Sequence, residues 1–283
     1  MIRVLKGQVA TLSVSRSQKP ASATVAITRD RDSVVVVASG TACTVEADRV
    51  VYSLAAQSSV SNLTATFTIT EADASTSTVV VPVQVVGTRT TSIAECRRLK
   101  PLDDVNRYPD ELIETAITQL ELGLEDACGV SFVPVERLNV RHDGSGDREL
   151  YARHARPLSI SAVSISDGVS TLALDAGQVS GLILDEGAGV ILRPTYLWDR
   201  GRRNIIVSGV FGYSSVPGIV RSAVTEGVRQ MLIDSRVDPR SSSVTNEDGT
   251  TAQLITAGTR NYLFSLPALN ACVMQYRTSF GVA

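Results

Sequence analysis

Apolar and polar residues alternate in several stretches of the first 88 positions: Ala10, Leu12 and Val14; Ala23, Val25 and Ile27; Leu63, Ala65, Phe67 and Ile69; Val79, Val81, Val83 and Val85. A period of two buries one face of a strand and wets the other, so each stretch predicts a strand of an antiparallel sheet. Val34 to Val37 and Val50 to Leu54 add two more, and Ser39-Gly40 and Ala72-Asp73-Ala74-Ser75 supply turns between them. Several short strands at this spacing predict an Ig-like β-sandwich over residues 1–88, without the paired cysteines and core tryptophan of antibody domains. Pro82 has no N–H to give a ladder and predicts an edge strand.

After Gly87 to Thr91, read as a linker, the period lengthens. Ser92 followed by Glu95 is a capping box for a short helix that stops near Pro101. Pro109 opens a second helix, with Asp110 and Glu111 at its positive end. Leu112, Ile113, Ala116, Ile117, Leu120, Leu124 and Ala127 predict one buried stripe along it, and Gly129 its C-cap. Strand patterns return at 136–141, 148–152, 158–166, 182–184, 190–192 and 204–211, with Asp143-Gly144-Ser145-Gly146 read as a hairpin turn and Asp167-Gly168 as another. From Pro217 a helix turns Val220, Ala223, Val224, Val228, Met231 and Leu232 inward and ends before Asp238-Pro239. Residues 240–260, rich in Ser, Thr and Gly, predict a flexible loop, and Pro267 to Tyr276 a last short helix. The fold class is therefore α+β: a sandwich over 1–88, then a mixed helical and β-hairpin domain over 89–283 with a C-terminal arm.

Composition narrows the function. With 43% hydrophobic and 20% charged residues among 283, the chain is of ordinary globular type. It contains no apolar run of membrane-spanning length, and its first residues turn polar too soon for a signal peptide, so a cytoplasmic site of synthesis and no membrane partner are expected. Cys43, Cys96, Cys128 and Cys272 have neither disulfide-framework nor zinc spacing and read as reduced thiols. A net charge of −2 argues against tight DNA binding, which takes about six to ten phosphate contacts, and leaves open a surface that DNA slides past.

No cofactor is expected, and no catalytic set stands out. Asp143 to Asp147 lacks the length and terminal Glu of a calcium loop. His142 and His154 have serines and Asp143 nearby in sequence but no nucleophile elbow, and the glycine pairs fit no nucleotide-binding pattern. Asn62-Leu63-Thr64 is a glycosylation sequon without a secretory context. The densest basic cluster, Arg193, Arg200, Arg202 and Arg203 around Trp198, admits two readings. It is a subunit or partner contact, since Arg and Trp dominate interface hot spots, or a solvated turn whose tryptophan caps the core.

From about Thr90 onward the order of segments resembles the head-to-tail adaptor (connector) family of long-tailed bacteriophages. The matching pieces are Leu102-Asp103-Asp104, the helix from Pro109 to Cys128 with Gly129-Val130-Ser131-Phe132-Val133-Pro134, His142 to Gly146, Leu150-Tyr151, and Arg156-Pro157-Leu158 leading to Ser161-Ala162-Val163. Trp198 to Pro217 with its helix, and Phe264 to Arg277, complete the series. The resemblance implies a structural virion protein, not an enzyme: a homo-oligomeric, typically dodecameric ring that joins the capsid portal to the tail. It implies portal protein on one side, tail-side neck proteins (stopper or tail terminator) on the other, and DNA passing through the channel without specific binding. It places the protein at the virion neck, made in the host cytoplasm, and assigns portal docking to the C-terminal arm: Tyr262, Leu263, Phe264, Leu266, Pro267, Leu269, Tyr276 and Arg277. The sandwich lies outside the family's minimal module and would brace neighbours or decorate the neck. The alternative is a phage accessory that binds carbohydrate or a host surface through that sandwich, whose aromatic residues are Tyr52 and Phe67.

Overall fold

The alternating stretches of the first 88 residues form eight strands in a computed structural model of the chain: β1 (Ile2–Leu5), β2 (Ala10–Ser15), β3 (Ser22–Arg29), β4 (Val35–Ala42), β5 (Thr44–Val45), β6 (Arg49–Leu54), β7 (Ser61–Thr70) and β8 (Thr76–Val86). Two helices follow, α1 (Ile93–Cys96) and α2 (Asp110–Cys128). Then come β9 (Val135–Gly144), β10 (Glu149–Tyr151), β11 (Pro157–Ser166), β12 (Thr171–Ala173), α3 (Ala176–Ser180), β13 (Ile183–Asp185), β14 (Val190–Leu192) and β15 (Gly201–Phe211). The chain ends with α4 (Gly218–Asp234), β16 (Ser243–Thr245), β17 (Thr251–Gln253) and α5 (Pro267–Tyr276). The structure describes residues 1–152, 156–166, 170–234, 243–245, 251–253, 264 and 266–277. The expected Asp167-Gly168 turn and most of the 240–260 segment lie outside them. The architecture is mixed α+β with sheets predominating.

Two compact units emerge, each drawn from separated stretches: 1–88 with 133–212, and 89–132 with 213–283. In the first, β1-β8-β7-β3-β4 make one sheet and β2-β6-β5 another. Leu12, Val25, Ile27, Val50, Leu63, Phe67 and Ile69, all inward members of the period-two pattern, share one core between them. The β8 strand is interior, not the edge strand that Pro82 predicted, because β1 pairs with it in parallel. That ladder begins at Val83, however, so only β7 flanks the proline.

The same unit continues with the four-stranded sheet β12-β11-β15-β9 and the three-stranded sheet β10-β14-β13. The β13–β14 pair forms as the pattern predicts. The expected hairpin across Asp143 to Gly146 does not: β9 pairs with β15, and β10 pairs with β14. A close approach explains the divergence. A side chain at Gly144 would meet the Asp199 carbonyl oxygen at 1.8 Å, so the turn is shaped against the 199–204 segment and not for a local ladder. A polar joint fastens β9 to the N-terminal strands: the buried Glu136 carboxylate accepts the Asn62 backbone N–H at 2.8 Å and pairs with Arg31 at 3.4 Å. Gly87 N–H donates to Pro134 at 3.0 Å beside it.

The second unit is helical. α1 carries the predicted capping box, with Ser92 Oγ accepting from Glu95 N–H and the Glu95 carboxylate accepting from Ser92 N–H. α2 runs from Pro109 to a left-handed Gly129 with φ 70°, which accepts no side chain without strain. Ile113, Ala116, Ile117, Leu120 and Leu124 are buried as the stripe requires, whereas Leu112 is exposed and Ala127 half-buried at its margins. Along α4, Val220, Ala223, Val224, Val228 and Leu232 are buried and Met231 is exposed. Within the stretch expected to be loop, Ser243–Thr245 pairs antiparallel with Thr251–Gln253. Val244 and the threonines supply the β propensity, and Asn246-Glu247-Asp248-Gly249 between them is turn-forming in sequence.

Candidate interaction surfaces

The arginine turn of the first unit is built around a buried tryptophan. Trp198 is fully inaccessible, packed with Leu150, Ile191, Ile205, Val207 and Phe211. Its indole N–H points at the carbonyls of Arg148 (3.0 Å) and Ile191 (3.3 Å), and its backbone N–H donates to Asp147 at 2.7 Å. The indole ring caps the core of the first unit. The arginines are the exposed part. Arg200, Arg202 and Arg203 all face solvent, and the Arg193 guanidinium lies 4.9 Å from the centroid of exposed Tyr196 and 5.5 Å from that of Trp198.

A register shift between Gly201 and Ile205 bulges the start of β15, and such bulges re-aim side chains. Arg203 sits there at φ 53°, a conformation that costs a non-glycine residue about 1–2 kcal/mol. Asp143 holds it by accepting the Arg203 backbone N–H at 2.5 Å, and Asn204 bridges Gly144 N–H and the Asp199 carbonyl. Exposed apolar residues surround this turn in sequence and sheet: Tyr151, Ile183 and Leu197 are more than half exposed. The sequence pattern gave no signal for them, since each lies on a three-residue strand or in a turn too short to show a period.

The C-terminal segment belongs to the second unit, and its described part is anchored there. Leu269 is buried where α4 carries Gly227; a methyl group on that glycine would lie 3.0 Å from Leu269 and 3.1 Å from Leu120. Phe264 covers Gly123 of α2, and the Asn270 amide fixes it by bonding both its N–H (3.0 Å) and its carbonyl (2.7 Å). Leu266 is the N-cap of α5 and Arg277 the exposed C-cap. Tyr276 meets the edges of Phe132 and Tyr213, with centroids at 5.4 and 6.0 Å, while those two rings stack at 5.6 Å. Pro267, Met274 and Arg277 face solvent. Tyr262 and Leu263 lie outside the described residues.

Two buried acids of α2 escaped the sequence reading, as did Glu136 on β9. Glu121 accepts the N–H and hydroxyl of Thr90, each at 2.8 Å, and pairs with Arg89 at 3.1 Å. Glu125 accepts from Ser131 at 2.8 Å. Their signal was positional: Glu121 is one turn beyond Ile117, on the apolar stripe itself. Burial pushes the thiols of Cys96 and Cys128 up to about 11, with Cys272 adding to the effect at Cys128. His142 is buried on β9 opposite Ile205, and His154 lies outside the described residues. No group of three or more His, Cys, Asp or Glu among the described residues is placed to hold a metal.

No protein-family model matches the chain, and no curated protein is similar to it. Among solved structures, a chain from "Neck of empty GTA particle computed with C6 symmetry" is similar at 13% identity with a TM-score of 0.37, the match covering 66% of this chain and 88% of that one.

Proposed function

We propose that the protein is a structural component of a virion neck, a ring-forming adaptor that joins the capsid portal to the tail and leaves a channel for DNA. The observation that carries this reading is a convergence. Three segments that resemble the adaptor family separately in sequence contribute Phe132, Tyr213 and Tyr276, which meet as one aromatic cluster in the helical unit. Three of the segments that carry the resemblance thus pack together, while His142 to Gly146, Leu150-Tyr151 and Arg156 to Val163 belong to the first unit.

The C-terminal arm from Tyr262 to Arg277 is the portal-docking element in this reading. Leu269 and Tyr276 hold it on its own chain, and Pro267, Met274 and Arg277 form the outward face. Residues 1–88 are an Ig-like domain, supported by strand order: β2-β6-β5 matches a B-E-D sheet, and β8-β7-β3 matches G-F-C with β4 as C′. The carbohydrate-binding alternative finds little to work with there, because Phe67 is fully buried and Tyr52 packs against the same core. The domain boundary is proposed at 88/89, with the polar joint at Glu136 holding the Ig-like domain to β9.

Deleting Gly258 to Ala283 tests the reading. DNA-filled heads that fail to retain tails are expected; normal tailed particles would remove the docking role.

A further inference from the structure

The arginine turn keeps its cations out of the ion pairs that occupy arginines elsewhere in the chain. Arg29, Arg49, Arg89, Arg97, Arg156 and Arg221 each reach a carboxylate at 3.9 Å or less. Arg148, Arg193, Arg200, Arg202 and Arg203 reach none among the described residues. All but half-buried Arg193 are exposed. They gather at one place in the first unit: Arg193 N–H donates to the Arg148 carbonyl at 2.9 Å, and a side chain on Gly146 would lie 3.5 Å from Arg200. Arg202 and Arg203 follow where Gly201 pairs with Gly144.

Asp143, Asp147, Glu149 and Asp199 share this surface, yet none pairs with a guanidinium among the described residues. Asp143 accepts the Arg203 backbone N–H and Glu149 the Tyr151 hydroxyl. An aspartate ends close to the backbone and an arginine reaches well beyond it, so an approaching anion meets the arginines first. The turn offers a protein partner little else. Trp198, the residue an interface core would use, is fully inaccessible, and the exposed apolar surface of the turn is Tyr196 and Leu197. Guanidinium forks without a dry centre suit the repeating phosphates of a nucleic acid.

We propose that the arginine turn is a contact for the phosphate backbone of DNA, made by Arg148, Arg193, Arg200, Arg202 and Arg203 and blind to base sequence. It goes beyond the neck reading, in which DNA passes without a defined contact, and it does not require a ring. Five cations are fewer than the roughly six to ten phosphate contacts behind strong binding, so the contact is weak, with a Kd on the order of 10⁻⁴ to 10⁻⁶ M at physiological salt. A weak, salt-released contact agrees with a chain of net charge −2 and with DNA that has to keep moving.

Fluorescence anisotropy of labelled DNA duplexes with the full-length chain, taken across a salt series, tests the contact. Affinity that is the same for unrelated sequences and falls steeply with salt is expected. Arg200→Gln/Arg202→Gln should weaken binding and lower the slope of log affinity against log salt by about 1.8, about 0.9 for each lost phosphate contact. Arg200→Lys/Arg202→Lys keeps the charge and should keep the slope. Arg98→Gln/Arg277→Gln removes the same charge from exposed arginines of the helical unit and should leave the slope unchanged. Arg203→Gly relieves the left-handed backbone while removing a cation, so its melting temperature should hold or rise as the slope falls by about 0.9. Absence of binding at low salt, turn variants that bind like the unaltered chain, or an equal loss in the helical-unit control overturns the DNA contact. So does tighter capture of a labelled polyglutamate by the same turn, the sign of an acidic protein partner. The neck reading survives each of these outcomes, since it answers to tail retention and not to DNA affinity.

Discussion

Single residues carry most of the energetic signature of the helical unit. The Glu121 carboxylate is the acceptor for part-buried Arg89 and for both donors of Thr90, with Glu121 and Thr90 closed to water. Glu121→Ala strands both Thr90 donors, while Arg89 keeps Glu114 and Thr118, and is expected to cost about 2–4 kcal/mol, read as a fall in urea midpoint. Replacing the pair together, Arg89→Met with Glu121→Leu, should recover only the share that belongs to the ion pair, since both Thr90 donors still lack their acceptor. The cysteines give a pH dependence of definite sign. Cys96 and Cys128 keep their protons up to about pH 11 in the folded chain, whereas unfolding returns them to ordinary values near 9. In that window the unfolded state binds fewer protons, so stability falls as pH rises, by about 1.4 kcal/mol per pH unit for each thiol. Cys128→Ala should shallow the alkaline limb of a stability–pH profile; an unchanged limb would remove the assignment. Glu121 was hidden in the sequence because an acid within an apolar stripe reads as noise until its partner is known. That partner, 32 positions upstream, is a tertiary fact.

At the scale of elements, periodicity made the long pieces legible and left the short ones obscure. α2, α4, α5, β7 and β15 emerge near their predicted bounds because each repeats its pattern several times. The failures are partners, not elements. β9 and β10 exist where expected, yet each pairs elsewhere, because the Gly144 turn is fitted to Asp199 and not to a two-strand ribbon. Ser243–Thr245 and Thr251–Gln253 were missed because three-residue strands carry too few positions to show a period. The capping box on α1 is the element that sequence alone specified most fully. Burial pushes the Glu95 carboxyl up, but the Ser92 N–H, the Thr91 hydroxyl and Arg221 outweigh that and hold it below its usual range. Its contribution is present above the unfolded value near 4.5 and is lost as pH falls through the lower folded one. Ser92→Ala is expected to cost about 1 kcal/mol and to flatten part of this acid dependence in a thermal-melt series.

For the whole molecule, the informative comparison is between chain order and packing order. The candidate surfaces were legible only in part. The arginines stood out by density, whereas the acids of α2 were sorted by packing: Glu121 and Glu125 point inward, and Arg97 and Arg89 pair with Asp110 and Glu114. The polar joint at Glu136 could not be read from a sequence in which Asn62 and Glu136 lie 74 positions apart. Glu136→Leu should lower the melting temperature of the first unit, by the equivalent of about 1–3 kcal/mol, since the Asn62 N–H loses its acceptor and Arg31 keeps, among the described residues, only the longer contact to Asp32 at 4.0 Å. A melt indistinguishable from the unaltered chain would show that the joint is ornamental.

Because each unit is assembled from two separated stretches, the order in which the chain is made bears on how it folds. During synthesis the first unit has all its parts once residue 212 is complete. α2 by then has long been exposed with Ile113, Ile117, Leu120 and Leu124 uncovered, waiting for α4 and α5. A nascent chain arrested after Gly212 should therefore carry one folded body and one sticky helix, visible as dye binding that Ile113→Ser/Leu124→Ser abolishes. The helical unit is the half that comes together last, so an unfinished chain presents an apolar stripe that the finished chain covers.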